Sequence, residues 1–439
     1  MPATNARSVA TEVVYRVGKG AYATPLLDAA LRKARLSPSQ AALATEICYG
    51  TLRVLPRLDA VIGKYALQRK AMDEFARACL RTAVFQLLYM RLDAPHAVVN
   101  EAVTLVRTKR DARLGGFVNA VLRAIVAAEP KQSPIATFET PAWFNDLLVQ
   151  SLGEVRAQAF VDRPLPPSLG LRVNTARISR DDLLARLKDA QPQAEIKASS
   201  LSPLGILVRG ANDPRQLPGY NEGWFSVQEE GAQVMALLVD AKPNERLADA
   251  CAGHGTKTTL LAQQVGATGH VTALDRYPNK LEHLAGEFTR LGLNADNLSS
   301  MAVDLTVGTA SLEGQFDRVL IDLPCTGLGT VHRRPELLLR HAQDDPQRLQ
   351  ELQFAIASHA LRLAKPHGHI ILGVCSPTRA EGIELVERLQ QAHPQLRPTQ
   401  DTAVAGLGRD PDGMVRLGPW LTPDRDGPDG YQIMQWKLE

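Results

Sequence analysis

Apolar residues recur every three or four positions through residues 5–128. Val9, Val13 and Val14 form one such set, Leu26, Leu27 and Leu31 a second, and Leu80, Val84, Leu87 and Leu88 a third. That period puts each set on one face of an α-helix. Breaks at Gly18–Gly20, Ser37–Ser39 and Asp93–Pro95 separate the faces. The stretch predicts five to seven helices in an all-α bundle. Pro130, Ser133 and Pro134 predict a linker. A short helical piece, Ala142 to Leu152, follows, and the cluster Pro164, Pro166 and Pro167 forces extended or turn-like backbone. The runs LGLRVN, LGILVR and GWFSVQ then read as strands around the helical stretch SRDDLLARLKDA. They predict a small α+β unit over about 140–222.

From 223 to 439 the pattern alternates. Strand candidates are RLADAC, HVTALD, SSMAVD, FDRVLID, HIILGVC and YQIMQWKL. Helical candidates lie between them: KTTLLAQQV, NKLEHLAGEFTRLG, PQRLQELQFAIASHALRLA and AEGIELVERLQQA. Such alternation predicts a doubly wound, mostly parallel sheet with helices on both faces. The expected domains are thus 1–131, 140–222 and 223–439.

Composition narrows the class. The chain has 439 residues, 45% hydrophobic and 22% charged, which excludes global disorder and gives ample material for a core. No apolar run approaches the ~18 residues of a membrane span, and the first residues hold no apolar signal core, so a cytoplasmic protein without membrane contact is expected. Five cysteines, an odd number without Cys-x-x-Cys spacing, fit neither a disulfide framework nor a zinc site, and no metal is expected. Residues 1–131 carry 20 Lys and Arg against 10 Asp and Glu, whereas the remainder carries 30 against 37. A basic first third suits a polyanion such as nucleic acid, or equally a solvated basic surface.

Chemistry concentrates at strand ends. The first strand of the alternating region runs into Asp249-Ala-Cys-Ala-Gly-His-Gly-Thr-Lys-Thr. Gly253 and Gly255 permit close backbone approach, and the following helix start offers free N–H groups. The turn is neither a Walker motif nor G-x-G-x-x-G. The next three strands end at Asp275, Asp304 and Asp322. One such acid reads as a helix cap or loop residue. Four on the same edge of a parallel sheet converge on one crevice. An acid-lined crevice suits a nucleoside bearing positive charge better than a triphosphate. Cys325 and Cys375 follow the fourth and fifth strands at that same edge. Two thiols beside a nucleoside-like pocket point to nucleophilic chemistry. Cys251, in the turn, and Cys48 and Cys79, in the helical region, carry no assigned chemistry.

The segments FSVQEEGAQ (225–233), DACAGHGTKTT, DLPCTGLGTVHRRPEL (322–337) and GVCSP (373–377) resemble the RsmB/Sun (NOP2/Sun-type) RNA cytosine-5 methyltransferases. The first third is similar to the NusB-like RNA-binding helical domain of that family's ribosomal small-subunit branch. Tyr49-Gly-Thr-Leu-Arg53, Phe85-Gln-Leu-Leu88, Pro95-His-Ala-Val-Val-Asn-Glu-Ala102 and Gly116-Phe-Val-Asn-Ala-Val-Leu-Arg123 carry the likeness. Leu171-Arg-Val-Asn-Thr175 resembles the family's ferredoxin-like unit. The resemblance implies a Rossmann-like methyltransferase domain with a seven-stranded sheet and S-adenosylmethionine as methyl donor. It implies that Cys251, Ala252, Gly253, His254, Gly255, Thr256 and Lys257 cradle the donor, with Asp275, Arg276, Asp304 and Asp322 around it. Cys375 becomes the nucleophile, Cys325 assists product release, and Asp322 stabilises the base adduct. Lys257 or Arg333 would supply positive charge near the thiolate. Arg53, Arg123, His332, Arg333 and Arg334 would contact RNA. The partner implied is small-subunit (16S) ribosomal RNA, with the protein acting as a monomer.

The family usually writes Ala-Pro-Gly-Gly-Lys where this chain has Gly253-His-Gly-Thr-Lys257. Methylation of transfer RNA or another RNA is the second enzyme reading. A catalytically decayed RNA-binding or ribosome-assembly factor is a third, from a different class.

Overall fold

Ser37, Asp73 and Asp111 start three helices by one device. Each side chain accepts a hydrogen bond from the backbone N–H three residues on, at Gln40, Ala76 and Leu114. They open α3 (Pro38–Arg53), α5 (Glu74–Tyr89) and α7 (Ala112–Ala128). With α1 (Ala6–Val17), α2 (Ala23–Ala34), α4 (Leu55–Tyr65) and α6 (Pro95–Lys109) they make the helical bundle the periodicity predicted. Val9, Val13, Val14 and Leu27 pack in one buried cluster, and Leu80, Val84, Leu87 and Leu88 in another.

The computed structural model describes residues 5–66, 72–90, 94–129, 138–211, 213–399, 404 and 406–439. Asp93 and the linker expected at Pro130–Pro134 lie outside them. The chain divides into two compact units. One contains residues 1–146, 161–165 and 331–342; the other contains 147–160, 166–330 and 343–439. The helical unit thus includes the HRRPEL stretch from far along the chain. No helix among the described residues is long and apolar enough to cross a membrane.

The second unit carries two sheets. In the first, β1 (Leu169–Val173), β2 (Glu195–Ala198), β3 (Gly205–Arg209) and β4 (Phe225–Val227) pair antiparallel in the order β2-β3-β1-β4. The helix Arg180–Ala190, capped by Ser179, lays Leu183 and Leu187 on Leu171 and Val173. β4 pairs with β1, so this sheet extends past residue 222, the expected limit of the small unit. β4 falls within the GWFSVQ run already read as a strand of this unit.

The second sheet holds β5 (Arg246–Asp249), β6 (His270–Asp275), β7 (Leu298–Ala302), β8 (Phe316–Asp322), β9 (Ala364–Val374), β10 (Leu396–Pro398), β11 (Val415–Leu417) and β12 (Tyr431–Leu438). Its order is β10-β12-β9-β8-β5-β6-β7, with β11 paired to β12. The expected seven-strand run is present, and β11 adds an eighth. β5 to β9 pair in parallel, whereas β12 runs antiparallel to β9. Both faces are covered. Val319 and Ile321 enter one core cluster with Ile356 and Val386, while Leu320 between them enters the other with Leu261 and Phe288. Parallel pairing brings the ends of β5, β6 and β8 to a common edge.

Candidate active site

The turn after β5 is wound by two glycines. Gly253 has φ +56° and Gly255 φ +78°, the left-handed region that glycine enters without penalty. A Cβ on Gly255 would lie 2.2 Å from Leu284 Cδ1, whereas one on Gly253 would meet nothing within 4 Å among the described residues. Gly255 is the N-cap of the helix Thr256–Val265. His254 between the glycines is exposed, its ring 5.9 Å from that of His283. The altered motif therefore keeps a tight turn.

Asp275, buried at the end of β6, accepts hydrogen bonds from Gly253 N at 3.0 Å and Tyr277 N at 2.9 Å. It thus ties the β6 end to the glycine turn. Asp249 is buried at the end of β5. Its Oδ2 accepts from Thr258 Oγ1 at 2.7 Å, and its Oδ1 has no hydrogen-bond partner among the described residues. Burial pushes the Asp249 carboxyl up to about 6. Arg276 is exposed and pairs with Asp304 at 3.1 Å. Asp304 also accepts from Thr306 Oγ1 and N, which hold its carboxyl below the usual range.

Lys257 Nζ lies 2.5 Å from Asp322 Oδ2, joining the glycine turn to the end of β8. Burial pulls the ammonium down, but Asp322 and Asp249 more than offset it and leave Lys257 raised. Cys325 Sγ and Cys375 Sγ approach to 3.3 Å. The hydrogen bond to Cys375, then burial, pushes the Cys325 thiol well above its ordinary value. Cys251 is also pushed up, by burial and by the carboxylates of Asp322, Asp249 and Asp275. The strand-end acids, Lys257 and the two thiols therefore share one edge of the sheet. Among the described residues no group of three or more His, Cys, Asp or Glu could hold a metal ion.

The expected RNA contacts divide. Arg123 is exposed on α7 and lines a groove with His96 and Asn100, and Arg334 is exposed. His332 is not a surface contact: it is fully buried in the helical unit, its ring 4.9 Å from Phe138. The resemblance implied an RNA contact there, but the segment belongs to the helical unit and encloses the ring. Arg53 likewise turns inward, donating to the His332 carbonyl at 3.2 Å and covering the Tyr49 ring; burial brings it down to about 10. Arg333, expected either at RNA or near the thiolate, is part-buried in the helical unit.

Two supporting residues escaped sequence reasoning. Arg172, buried in β1, donates to Thr256 O at 2.6 Å and to Thr259 Oγ1 at 2.8 Å. It thereby fixes the first turn of the helix behind the glycine loop. A charged residue inside an apolar strand run was the available signal. Glu381 is fully buried and hydrogen-bonds Thr326, next to Cys325. Nothing local marks it, because its link to the Cys325 loop, through Thr326, spans 55 residues.

Residues 236–435 match the family described as 16S rRNA methyltransferase RsmB/F. Residues 4–127 match the NusB family, and residues 140–213 the ferredoxin-like domain of the RsmF/B methyltransferases. Ribosomal RNA small subunit methyltransferase B of Vibrio vulnificus is 30% identical, over 97% of this chain and 98% of its own. The enzyme of the same name from Pseudomonas putida is 31% identical over 89% and 88%. The crystal structure of the protein PH0851 superposes with a TM-score of 0.80, covering 99% of each chain at 22% identity, and shares the fold. With the sheet edge, the glycine turn and the three matched regions in one order, the chain belongs to the RsmB/F family of S-adenosylmethionine-dependent small-subunit ribosomal RNA methyltransferases.

Proposed function

We propose that the protein methylates carbon 5 of one cytosine in 16S ribosomal RNA, with Cys375 as nucleophile. The 3.3 Å approach of Cys325 and Cys375 beside the Lys257–Asp322 pair carries this reading. A methyl transfer to a base nitrogen or ribose oxygen has no use for two adjacent thiols. Carbon 5 of cytosine is a poor nucleophile until something adds at carbon 6. The Cys375 thiolate forms an Sγ–C6 bond, and the C5–C6 pair becomes enamine-like. S-adenosylmethionine supplies an electrophilic methyl group to carbon 5. Loss of the carbon 5 proton to a base, with breakage of Sγ–C6, then releases the product.

The burial pattern suits this division of labour. Cys325, pushed up, keeps its proton and, 3.3 Å from Cys375, is placed to assist the leaving sulfur at release. Asp322 serves the base and its adduct, and Lys257 holds Asp322 in place. The donor suits the cradle of Gly253 and Gly255, with Asp249 Oδ1, which has no hydrogen-bond partner among the described residues, and the Asp275 carboxylate at its edge. The helical unit, through Arg123 and Arg334, contributes cationic contacts to the RNA backbone.

The test uses labelled S-adenosylmethionine and ribosomal RNA from a strain lacking the gene, with bisulfite sequencing of the product. One new 5-methylcytosine in small-subunit RNA, absent with Cys375→Ala, is expected. Cys325→Ala should accumulate a protein–RNA adduct. Label in transfer RNA alone would move the substrate, and tight RNA binding without any methylation would leave an assembly factor.

A further inference from the structure

Glu381 occupies the core behind the two thiol loops. It is 0% exposed. Its Oε1 accepts from Thr326 N at 2.8 Å and Gln353 Nε2 at 3.0 Å; its Oε2 accepts from Thr326 Oγ1 at 2.5 Å and Thr378 Oγ1 at 3.2 Å. Thr326 follows Cys325, and Thr378 lies three residues after Cys375. Gln353 also donates to Pro324 O at 3.0 Å, on the other side of Cys325. Ser376 joins the same network, 3.4 Å from Thr326 Oγ1 and 3.2 Å from Thr378 Oγ1. One carboxylate therefore fastens both cysteine loops, and all four of its donors are neutral.

A carboxylate buried among neutral donors is costly for stability alone. Its acceptor sites take the N–H and hydroxyl of Thr326 from the Cys325 loop, the hydroxyl of Thr378 from the Cys375 loop and the amide of Gln353. We infer that Glu381 is a positioning residue that sets the separation of the Cys325 and Cys375 thiols. The inference deepens the two-thiol reading and rests on it for its catalytic meaning; the thiol separation itself is measurable without methylation.

Diamide provides that measurement. It takes two electrons and two protons from the thiol pair, becomes the hydrazine, and leaves a Cys325–Cys375 disulfide. Closing the bond needs the sulfurs at ~2.05 Å, so its rate reports how near they are held. Peptide mapping by mass spectrometry follows the bond. With Glu381→Ala, closure should slow at least ~10-fold, and kcat should fall ~10²-fold, the usual penalty for misplacing a reacting group by ~1 Å. KM for RNA and affinity for S-adenosylhomocysteine should hold. Glu381→Gln keeps the oxygen facing Thr326 N and Gln353, and its amide can donate to the two threonine hydroxyls. It should restore closure and kcat to within about threefold of the native protein.

Native closure rates in Glu381→Ala would overturn the inference. So would equal impairment of the Ala and Gln variants, which would mean that charge and not placement matters. If Glu381→Ala loses its cooperative thermal transition, Thr326→Val with Thr378→Val carries the test, and native closure in that protein overturns it. If the variants close as expected while the native protein methylates no cytosine, the methylation reading fails and the positioning role stands.

Discussion

Lys257 and Asp322 meet at 2.5 Å, one from the turn after β5 and one from the end of β8, so a single ion pair fixes the glycine loop against the loop that bears Cys325. The ammonium is almost wholly enclosed and the carboxylate about a quarter exposed. Lys257→Met should lower kcat/KM by ~10²-fold, since the carboxylate loses the group that orients it. Single-turnover kinetics with pre-bound RNA checks this; a loss confined to RNA affinity would contradict it.

Asp249 makes stability depend on pH. Its folded value of about 6 lies above the ordinary 3.8. The folded state therefore binds the proton more tightly than the unfolded chain. The associated stability is present below pH ~4 and is lost as pH rises through ~6. Asp249→Asn abolishes that dependence. Relative to the native protein, the variant should gain up to ~3 kcal/mol between pH 4 and 7. Urea unfolding of both proteins across that range measures the difference, which cancels the contributions of all other groups.

The two turn glycines should respond unequally. Gly253→Ala meets only backbone strain, about 1 kcal/mol. Gly255→Ala adds a clash with Leu284 at 2.2 Å and should cost ~3 kcal/mol, with loss of donor affinity. Denaturation midpoints and calorimetric titration with S-adenosylhomocysteine give both quantities. Equal costs would mean that the turn relaxes.

His332 and Arg334 separate packing from binding. His332→Ala removes a ring buried against Phe138 and should destabilise the helical unit by ~3 kcal/mol, while the RNA affinity of the folded fraction holds. Arg334→Ala should leave stability unchanged and weaken RNA binding, reducing the slope of affinity against salt by about one ion. Filter binding at several salt concentrations, beside thermal melts, distinguishes the two.

Period and spacing exposed much of this architecture. The α3, α5 and α7 faces, the β5–β9 alternation and the acids at strand ends follow from local rules: a buried helix face repeats at 3.6, and a parallel strand must end where its crossover begins. What stayed hidden is long-range polar pairing. Arg172 reaches residues 84 and 87 positions away, and Glu381 reaches Thr326 across 55. Neither partner alters the local pattern of the other. The RNA contacts implied for His332 and Arg53 miss their enclosure for the same reason, since it depends on residues such as Phe138 and Tyr49. β10 and β11, three residues each, are too short to show an alternation.

Residues 331–342 belong to the helical unit although the chain on both sides belongs to the other. Modularity is therefore incomplete in a practical sense. A fragment ending near residue 131 omits the strand of chain that carries His332 and Glu336, and with it the acceptor for the N–H of Ala23 at the start of α2. The first third alone leaves that N–H without the Glu336 carboxylate. Separating the helical unit from the methyltransferase therefore takes more than a single cut in the sequence.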